Sequence, residues 1–406
     1  MSLYTLLGYS FTLSMSISLI LLIASVYIGR KEIKAELKGI SKYSIILFLL
    51  ILALFLYIAI FHVTAFEELY FDENIYQGIA MNILKHGEML WCLAGTGYLN
   101  SCYISTLYHD PAGWSFFIAI FFAILGISTS TAYISELFIG SLSLLFIFIL
   151  SYLLSKKNSV AVFSTAILAL MPEVLIWSRT QADPDLPFMT FSIMTFMFFV
   201  LFMKRKKPIT FSMFLFSLSL TLYLRTEAVL LLGIFALLAV LFDIKNIEEI
   251  KDKIFGIIRK ITNDEKFSSL MLVFFLLMAP QIIYVGIEAS NPQYGQPTNA
   301  PAISTSYLNS NLNTNINYLL GNYNSTIYFP AVAAKYAIPL AILGSLLILL
   351  QKKNRLNTLL LAWSWFFAYL LFYSLFYAGG ALFGVDVRFM LQTMPSLAIM
   401  DLFFHQ

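Results

Sequence analysis

The sequence is poor in charge, nearly without cysteine, and lacks the loops that hold soluble nucleotides. Only 12% of its 406 residues are Asp, Glu, Lys or Arg, about half the share in a soluble domain. No Walker A loop and no dinucleotide-binding glycine turn is present. There are two cysteines and no Cys/His cluster with metal spacing. These absences exclude an ATP site, a soluble nucleotide-sugar site and a structural zinc. No basic pocket interleaved with aromatics is visible either, which excludes nucleic acid as a partner. What is abundant is apolar: 60% of the chain is hydrophobic. Runs of about 20 apolar residues, each long enough to cross a bilayer core of roughly 30 Å, recur from end to end.

The first run, Leu3 to Ile28, has no small-residue cleavage site and reads as a retained span rather than a signal peptide. Candidate spans are 4–28, 43–63, 133–154, 159–177, 186–203, 209–224, 228–242, 268–287, 331–350, 357–377 and 389–406. The expected fold class is therefore an all-α integral membrane protein, a bundle of about eleven helices forming one transmembrane domain over 1–406. The apolar stretch 114–126 is too short to cross and reads as a half-helix on or partly in the membrane.

Orientation follows from the distribution of Lys and Arg. With the N-terminus outside, about 20 of the 25 basic residues fall in inner loops. They cluster over 30–42, at Lys156 and Lys157, over Lys204–Lys207, over 245–266 and over 352–355. Counting 114–126 as a full span inverts every later loop and puts Lys204–Lys207 outside, so it is not counted. The outer side then has two long loops, 64–132 and 288–330, and collects most of the acids. Long loops on a rigid bundle are where a membrane enzyme builds a site.

Four constellations on that side can carry chemistry. Asp72-Glu73 follows the second span; a carboxylate against apolar walls can take a proton from an attacking hydroxyl. A solvated acidic loop start is the plainer reading of the same pair. Asp183-Pro-Asp185 offers oxygen ligands suited to Mg²⁺ or Mn²⁺, or acceptors for a sugar hydroxyl. The plainer reading is a proline turn with Asp as the next helix's cap. Arg179, Arg225 and Arg388 sit at membrane boundaries on the side where cations are scarce. Together they suit a lipid phosphate, while each also has a local acid to pair with, as Arg225 has Glu227 and Arg388 has Asp386. His109 and Asp110 lie in Tyr108-His-Asp-Pro-Ala-Gly-Trp114, where His109 is a metal ligand, a proton carrier or neither. Cys92 and Cys102, ten residues apart in the first outer loop, are a candidate disulfide. Asn324-Ser-Thr in the second loop is a sequon.

These pieces occur in an order that resembles the GT-C superfamily of polyprenyl-phosphate-sugar-dependent glycosyltransferases. The branch most similar holds the protein O-mannosyltransferases and the lipid A aminoarabinose transferases. The residues carrying the resemblance are Asp72-Glu73, Tyr76, Ala80, Asn82-Ile83-Leu84 and Gly87, like an acidic motif followed by an amphipathic loop helix. Tyr108 to Trp114 is like the Pro-containing motif before a short apolar helix. Ser178-Arg179, Asp183, Leu224 to Glu227, Arg388-Phe389 and Pro395 are like the later outer-loop signatures, so the likeness runs from about 66 to 400.

The resemblance implies that Asp72, with Glu73 beside it, is the catalytic carboxylate, and that the three arginines hold the donor phosphate. Asp183, Asp185, His109, Asp110 and Glu227 would serve substrate or a metal. It implies sugar transfer with inversion from a dolichyl or undecaprenyl phosphate donor to a protein, lipid or glycan acceptor on the extracytoplasmic face of the membrane. No cofactor is required, or else one divalent cation. A secondary transporter or flippase for an anionic or lipid-linked substrate is the alternative. Three departures stand out: a single proline in Asp110-Pro111-Ala112, the Asp183–Asp185 doublet, which resembles the metal loop of oligosaccharyltransferases, and an extra first span. The sequence ends at Gln406, at the end of a span and without a soluble domain, so a piece of a longer chain is one reading.

Overall fold

A computed structural model describes residues 3–64, 71–92, 104–106, 111–180, 182–242, 249–290, 303–320, 338–346, 356–377, 379–380 and 386–400. It is helical almost throughout. The first membrane helices are α1 (Leu3–Ile28) and α3 (Lys42–Phe61), joined by the short amphipathic α2 (Arg30–Leu37). The first long loop contains α4 (Phe71–His86), the two-stranded antiparallel pair β1 (Trp91–Cys92) and β2 (Ile104–Thr106), and α5 (Gly113–Leu125). Next come α6 (Thr129–Ser155), α7 (Asn158–Leu170), α8 (Pro172–Thr180), α9 (Asp185–Arg205), α10 (Pro208–Leu222), α11 (Leu230–Leu241), α12 (Glu249–Asn263) and α13 (Glu265–Ser290). The remainder comprises α14 (Leu308–Leu319), α15 (338–346), α16 (Leu356–Leu375), a 3₁₀ stretch Asp386–Thr393 and α17 (Met394–Met400).

Among the described residues six helices are long and apolar enough to cross a membrane, and the bent pair α7–α8 makes a seventh. Two of the expected spans, 331–350 and 389–406, lie partly outside the described residues. The expected span 159–177 is not one helix. It breaks at Met171, and α8 leaves α7 at 61°. The cause is Pro172, which has no N–H to donate and disfavours helical geometry in the residue before it; Met171 is extended at φ −66°, ψ 120°. Nor is 389 the start of a helix: 386–393 is 3₁₀, and α17 begins only at Met394. The short 114–126 stretch is α5, whose 13 residues reach about 20 Å, too short to cross.

α9 is the central post. Between Asp185 and Lys204 it has no charge, and nearly all of it is buried. Its threonines are satisfied without solvent: Thr190 and Thr195 donate to the carbonyls of Leu186 and Phe191 at 3.0 and 2.8 Å, and Thr195 pairs with Thr221 at 2.8 Å. α6 and α10 pack on either side of it. The additional first span, α1, docks on α10 through small polar contacts, Ser18 with Ser219 and Ser25 with Ser212, each at 2.9 Å. Such contacts suit helix pairs in lipid, where hydrophobicity alone gives no preference for a partner helix. α3 turns Ile45, Ile46, Leu49 and Leu50 outward, a surface fitted to acyl chains.

The charges divide between the two ends of α6 and α9. At the C-terminal ends, Glu36 of α2 binds Lys156 at 2.5 Å and Arg205 at 2.8 Å, and Glu32 binds Lys207 at 2.5 Å. Three of the basic loops thus meet on one helix. At the N-terminal end, a helix length of about 30 Å away, lie Asp183 and Asp185.

Candidate functional site

Asp72 and Glu73 open α4, where carboxylates favour the helix N-terminus. Neighbours on a helix point about 100° apart, and the pair separates accordingly. Asp72 faces Arg388, with Oδ2 3.8 Å from Nη1 and its side chain 31% exposed. Glu73 turns into the bundle, 1% exposed, and accepts a hydrogen bond from Tyr133 at 3.1 Å. The two carboxylates expected to be catalytic therefore face different places. α4 ends at Gly87, whose φ of +77° closes the helix, its N–H bonding to Ile83.

Pro184 caps α9, so Asp183 and Asp185 sit on the last turn of chain before it and at its first position. They are 2% and 1% exposed. Arg388 Nη1 donates to Asp183 Oδ2 at 2.7 Å, and Arg388 Nε lies 3.9 Å from Asp185 Oδ2. Arg225 Nη2 lies 3.7 Å from Asp185 Oδ1, and its Nε donates to Glu227 at 2.9 Å. Gln392 ties the Asp185 carbonyl to the 3₁₀ stretch at 3.1 Å. Burial pushes the Asp183 carboxyl up to about 7; Arg388 opposes this, and the charges of Asp185 and Asp72 reinforce it.

An aromatic spacer separates the two guanidinium groups. Arg388 lies 5.2 Å and Arg225 5.7 Å from the Phe389 ring centre. Phe389 stacks on Tyr373 at 4.8 Å, and the Tyr373 hydroxyl donates to Glu227 at 2.8 Å, the same oxygen that receives Arg225. The loop is closed: Arg388, Phe389, Tyr373, Glu227, Arg225, Asp185 and back to Arg388. Cation–π contact and charge-assisted hydrogen bonds fix both guanidinium planes.

The Pro-containing motif buttresses this ring. Gly113 N–H donates to the Tyr223 carbonyl at 3.0 Å, two residues before Arg225. A Cβ on Gly113 would stand 2.2 Å from that oxygen, so only glycine permits the approach. Trp114, next in the chain, is fully buried.

Sequence reasoning thus places Asp72, Asp183, Asp185, Arg225, Glu227 and Arg388 in one cluster, and the structure brings these six together. Arg179, on α8, makes no ion pair among the described residues, and its Nε is buried without a hydrogen bond. His109, Asp110, Cys102 and Asn324 lie outside the described residues, as does the side chain of Cys92. Residues not anticipated are Tyr133, Tyr373 and above all Glu136, and Phe389, part of the Arg388-Phe389 signature, acquires a role as spacer. Glu136, two turns into α6, is fully buried with neither oxygen hydrogen-bonded at good geometry. Trp114 supplies an indole N–H beside it, and Asp183, Glu73 and Asp185 are close enough to act on its charge. A polar residue inside an apolar run is the signal that would have found it.

Among the described residues the donor set does not fit a divalent cation. Among the described residues no group of three or more His, Cys, Asp or Glu is arranged to hold a metal ion. Asp183 and Asp185 are turned toward guanidinium groups, which take the place a cation would occupy.

The profile of the dolichyl-phosphate-mannose-protein mannosyltransferase family matches residues 109–284. Among curated proteins, no sequence matches the chain. Solved structures do. ArnT from Cupriavidus metallidurans bound to undecaprenyl phosphate is 10% identical, with a TM-score of 0.56 over 88% of this chain and 59% of that one. The archaeal oligosaccharyltransferase AglB from Archaeoglobus fulgidus, in complex with an inhibitory peptide and a dolichol-phosphate, is 11% identical. Its TM-score is 0.51 over 88% of this chain and 50% of that one. The chain therefore spans between half and three-fifths of the length of these relatives. With its bundle of apolar helices, its loop helix carrying Asp72 and this likeness to two GT-C enzymes, the chain is a multi-pass membrane protein of the GT-C fold.

Proposed function

We propose that the chain transfers a sugar from a polyprenyl-phosphate donor to an acceptor hydroxyl at the extracytoplasmic face of the membrane, with inversion at the anomeric carbon. The observation that carries this reading is the placement of a partly exposed carboxylate, Asp72, 3.8 Å from a partly buried guanidinium, Arg388. A base and a phosphate-binding group side by side are what the reaction needs. Asp72 takes the acceptor's hydroxyl proton as that oxygen forms its bond to the anomeric carbon. The bond from that carbon to the phosphate oxygen breaks on the opposite side, and the electron pair leaves with polyprenyl phosphate. Arg388 and Arg225 stabilise the charge that grows on the leaving oxygen. The phosphate is already a good leaving group, so one base suffices and no metal is required.

Two further findings support the reading. The family profile covers 109–284, and the two structural relatives were captured with undecaprenyl phosphate and dolichol-phosphate. The extracytoplasmic location is supported by the opposed ends of α6 and α9: Lys156, Arg205 and Lys207 gather at one end, the acids at the other.

The test is transfer from synthetic polyprenyl-phosphate sugars by wild type and Asp72→Asn, each with and without chelator, against a mixed acceptor extract. Transfer lost in the variant and kept in chelator is expected. Retained transfer by Asp72→Asn would overturn the base assignment. Loss in chelator would overturn the metal-free mechanism.

A further inference from the structure

The sequence from 289 to 334 contains no Asp, Glu, Lys, Arg or His, although Glu288 and Lys335 flank it. Its described part centres on α14, LNSNLNTNINYL, with asparagine at 309, 311, 313, 315 and 317. Asparagine is a poor helix former, so this repetition calls for a reason.

Half of the reason is docking. Asn311 and Asn315, one turn apart, are 5% and 0% exposed. Asn311 donates to the Phe376 carbonyl at 2.7 Å and Asn315 to that of Gly379 at 2.9 Å. Tyr318, on the same face, donates to Glu173 at 2.6 Å. This face clamps α14 onto the segment that follows α16. The last turn of α16 and that segment back the site: Tyr373 holds Glu227, and the Phe376 and Tyr373 rings pack on Phe389 beside Arg388. α14 therefore stands one layer from the two guanidinium groups.

The other asparagines have no such role. Asn309 and Asn313 are exposed and Asn317 is half-exposed; Asn317 donates to Asn313 at 3.3 Å. With Thr305 and Ser306, also exposed, they form an uncharged ridge of amides and hydroxyls. Three amides at i, i+4 and i+8 span about 12 Å. An amide both donates and accepts, as a sugar hydroxyl does. An uncharged polyhydroxyl ligand can pair with such a ridge without desolvating a charge, whereas an acidic or basic partner finds no counter-charge on it.

We propose that the Asn309–Asn313–Asn317 ridge of α14 is the acceptor platform, and that the acceptor is an uncharged oligosaccharide. This rests on the transferase reading and names its acceptor class.

The test uses the purified full chain, wild type and the triple variant Asn309→Ala/Asn313→Ala/Asn317→Ala. Binding is measured by saturation-transfer NMR for a panel of uncharged oligosaccharides, a Ser/Thr-rich peptide and a phosphorylated glucosamine disaccharide. Undecaprenyl and dolichyl phosphate binding is measured alongside. At least one uncharged oligosaccharide is expected to bind, at least tenfold more weakly to the triple variant, with polyprenyl-phosphate binding unchanged. The proposal is overturned if no uncharged oligosaccharide binds, if the triple variant binds it equally, or if the ridge substitutions weaken only the peptide or the charged disaccharide. Oligosaccharide binding without any polyprenyl-phosphate binding would instead overturn the transferase reading and leave the ridge standing.

Discussion

Removing Arg388 tests the site's electrostatics most directly. Arg388→Met keeps the volume of the stem and deletes the cation that donates to Asp183 at 2.7 Å. Asp183 is 2% exposed, so its carboxylate is left in a dry place with its strongest partner gone. Breaking one side of a buried ion pair costs about 3–5 kcal/mol. The size of the loss depends on pH, and the sign can be worked out. Burial holds Asp183 at about 7, above the ordinary 3.8. Between those values the folded state binds the proton more tightly than the unfolded one, so stability falls as pH rises through that window and levels off above it. Arg388 pulls the value down, so its removal extends the falling region above 7. The variant should be nearly as stable as wild type at pH 5, where Asp183 carries a proton in both, and markedly less stable at pH 8.5. Adding Asp183→Asn should recover most of the loss at pH 8.5 without restoring transfer. The assay is thermal unfolding in detergent micelles at both pH values, beside a transfer assay. A loss of equal size at pH 5 and pH 8.5, or no recovery in the double variant, would refute the argument.

Three other outcomes follow from the same geometry. Glu136→Leu removes two buried carboxylate oxygens without good hydrogen bonds, groups whose desolvation costs about 1–3 kcal/mol each; it should raise the unfolding temperature while lowering transfer, and a variant that loses stability would show that Glu136 is a structural strut. Gly113→Ala places a Cβ 2.2 Å from the Tyr223 carbonyl oxygen and should cost about 1–3 kcal/mol through backbone displacement, with Arg225 shifted and donor binding weakened; wild-type stability and donor affinity together would contradict the close packing. Donor binding itself should weaken as pH rises through about 7, and the Asp183→Asn variant should lose that dependence, as titrations with a polyprenyl phosphodiester, whose own charge is constant, would reveal.

Much of the site was legible because its residues were scarce where they stood. Arg225 and Arg388 are cations on the side of the membrane that holds few, and Asp183 and Asp185 flank a proline at a helix boundary. Topology alone was enough to gather them. What could not be read was direction and packing. Asp72 and Glu73 looked like one acidic pair, but the helix they start sends one to Arg388 and the other to Tyr133. Tyr373, which helps to orient the guanidinium groups, is one of 23 tyrosines, and nothing local distinguishes it. Pro172 was a visible break inside the expected span 159–177, yet apolar continuity overrode it. Hydropathy averages over a window, whereas a kink is the act of one residue. Glu136 was lost the same way, averaged into the apolar run that surrounds it.

The charge balance of the cluster gives a reason for Asp183 to titrate near neutrality. Asp72, Asp183, Asp185 and Glu227 gather around two guanidinium groups, those of Arg225 and Arg388. If all four acids were ionised, an incoming phosphodiester would add to an excess of negative charge. A proton on Asp183 lowers that excess and loosens its hold on Arg388, which is then free to turn toward the phosphate. On the proposed reading Asp183 is a placeholder: its oxygen, 2.7 Å from Nη1, occupies the position a phosphate oxygen takes when the donor arrives. Donor and proton then enter together, and the carboxylate is left to reclaim Arg388 when polyprenyl phosphate departs. A metal ion would reduce the same excess, but it would compete with Arg388 for Asp183 rather than free it. The acid doublet is thus better matched to a guanidinium that changes partners than to a cation that stays.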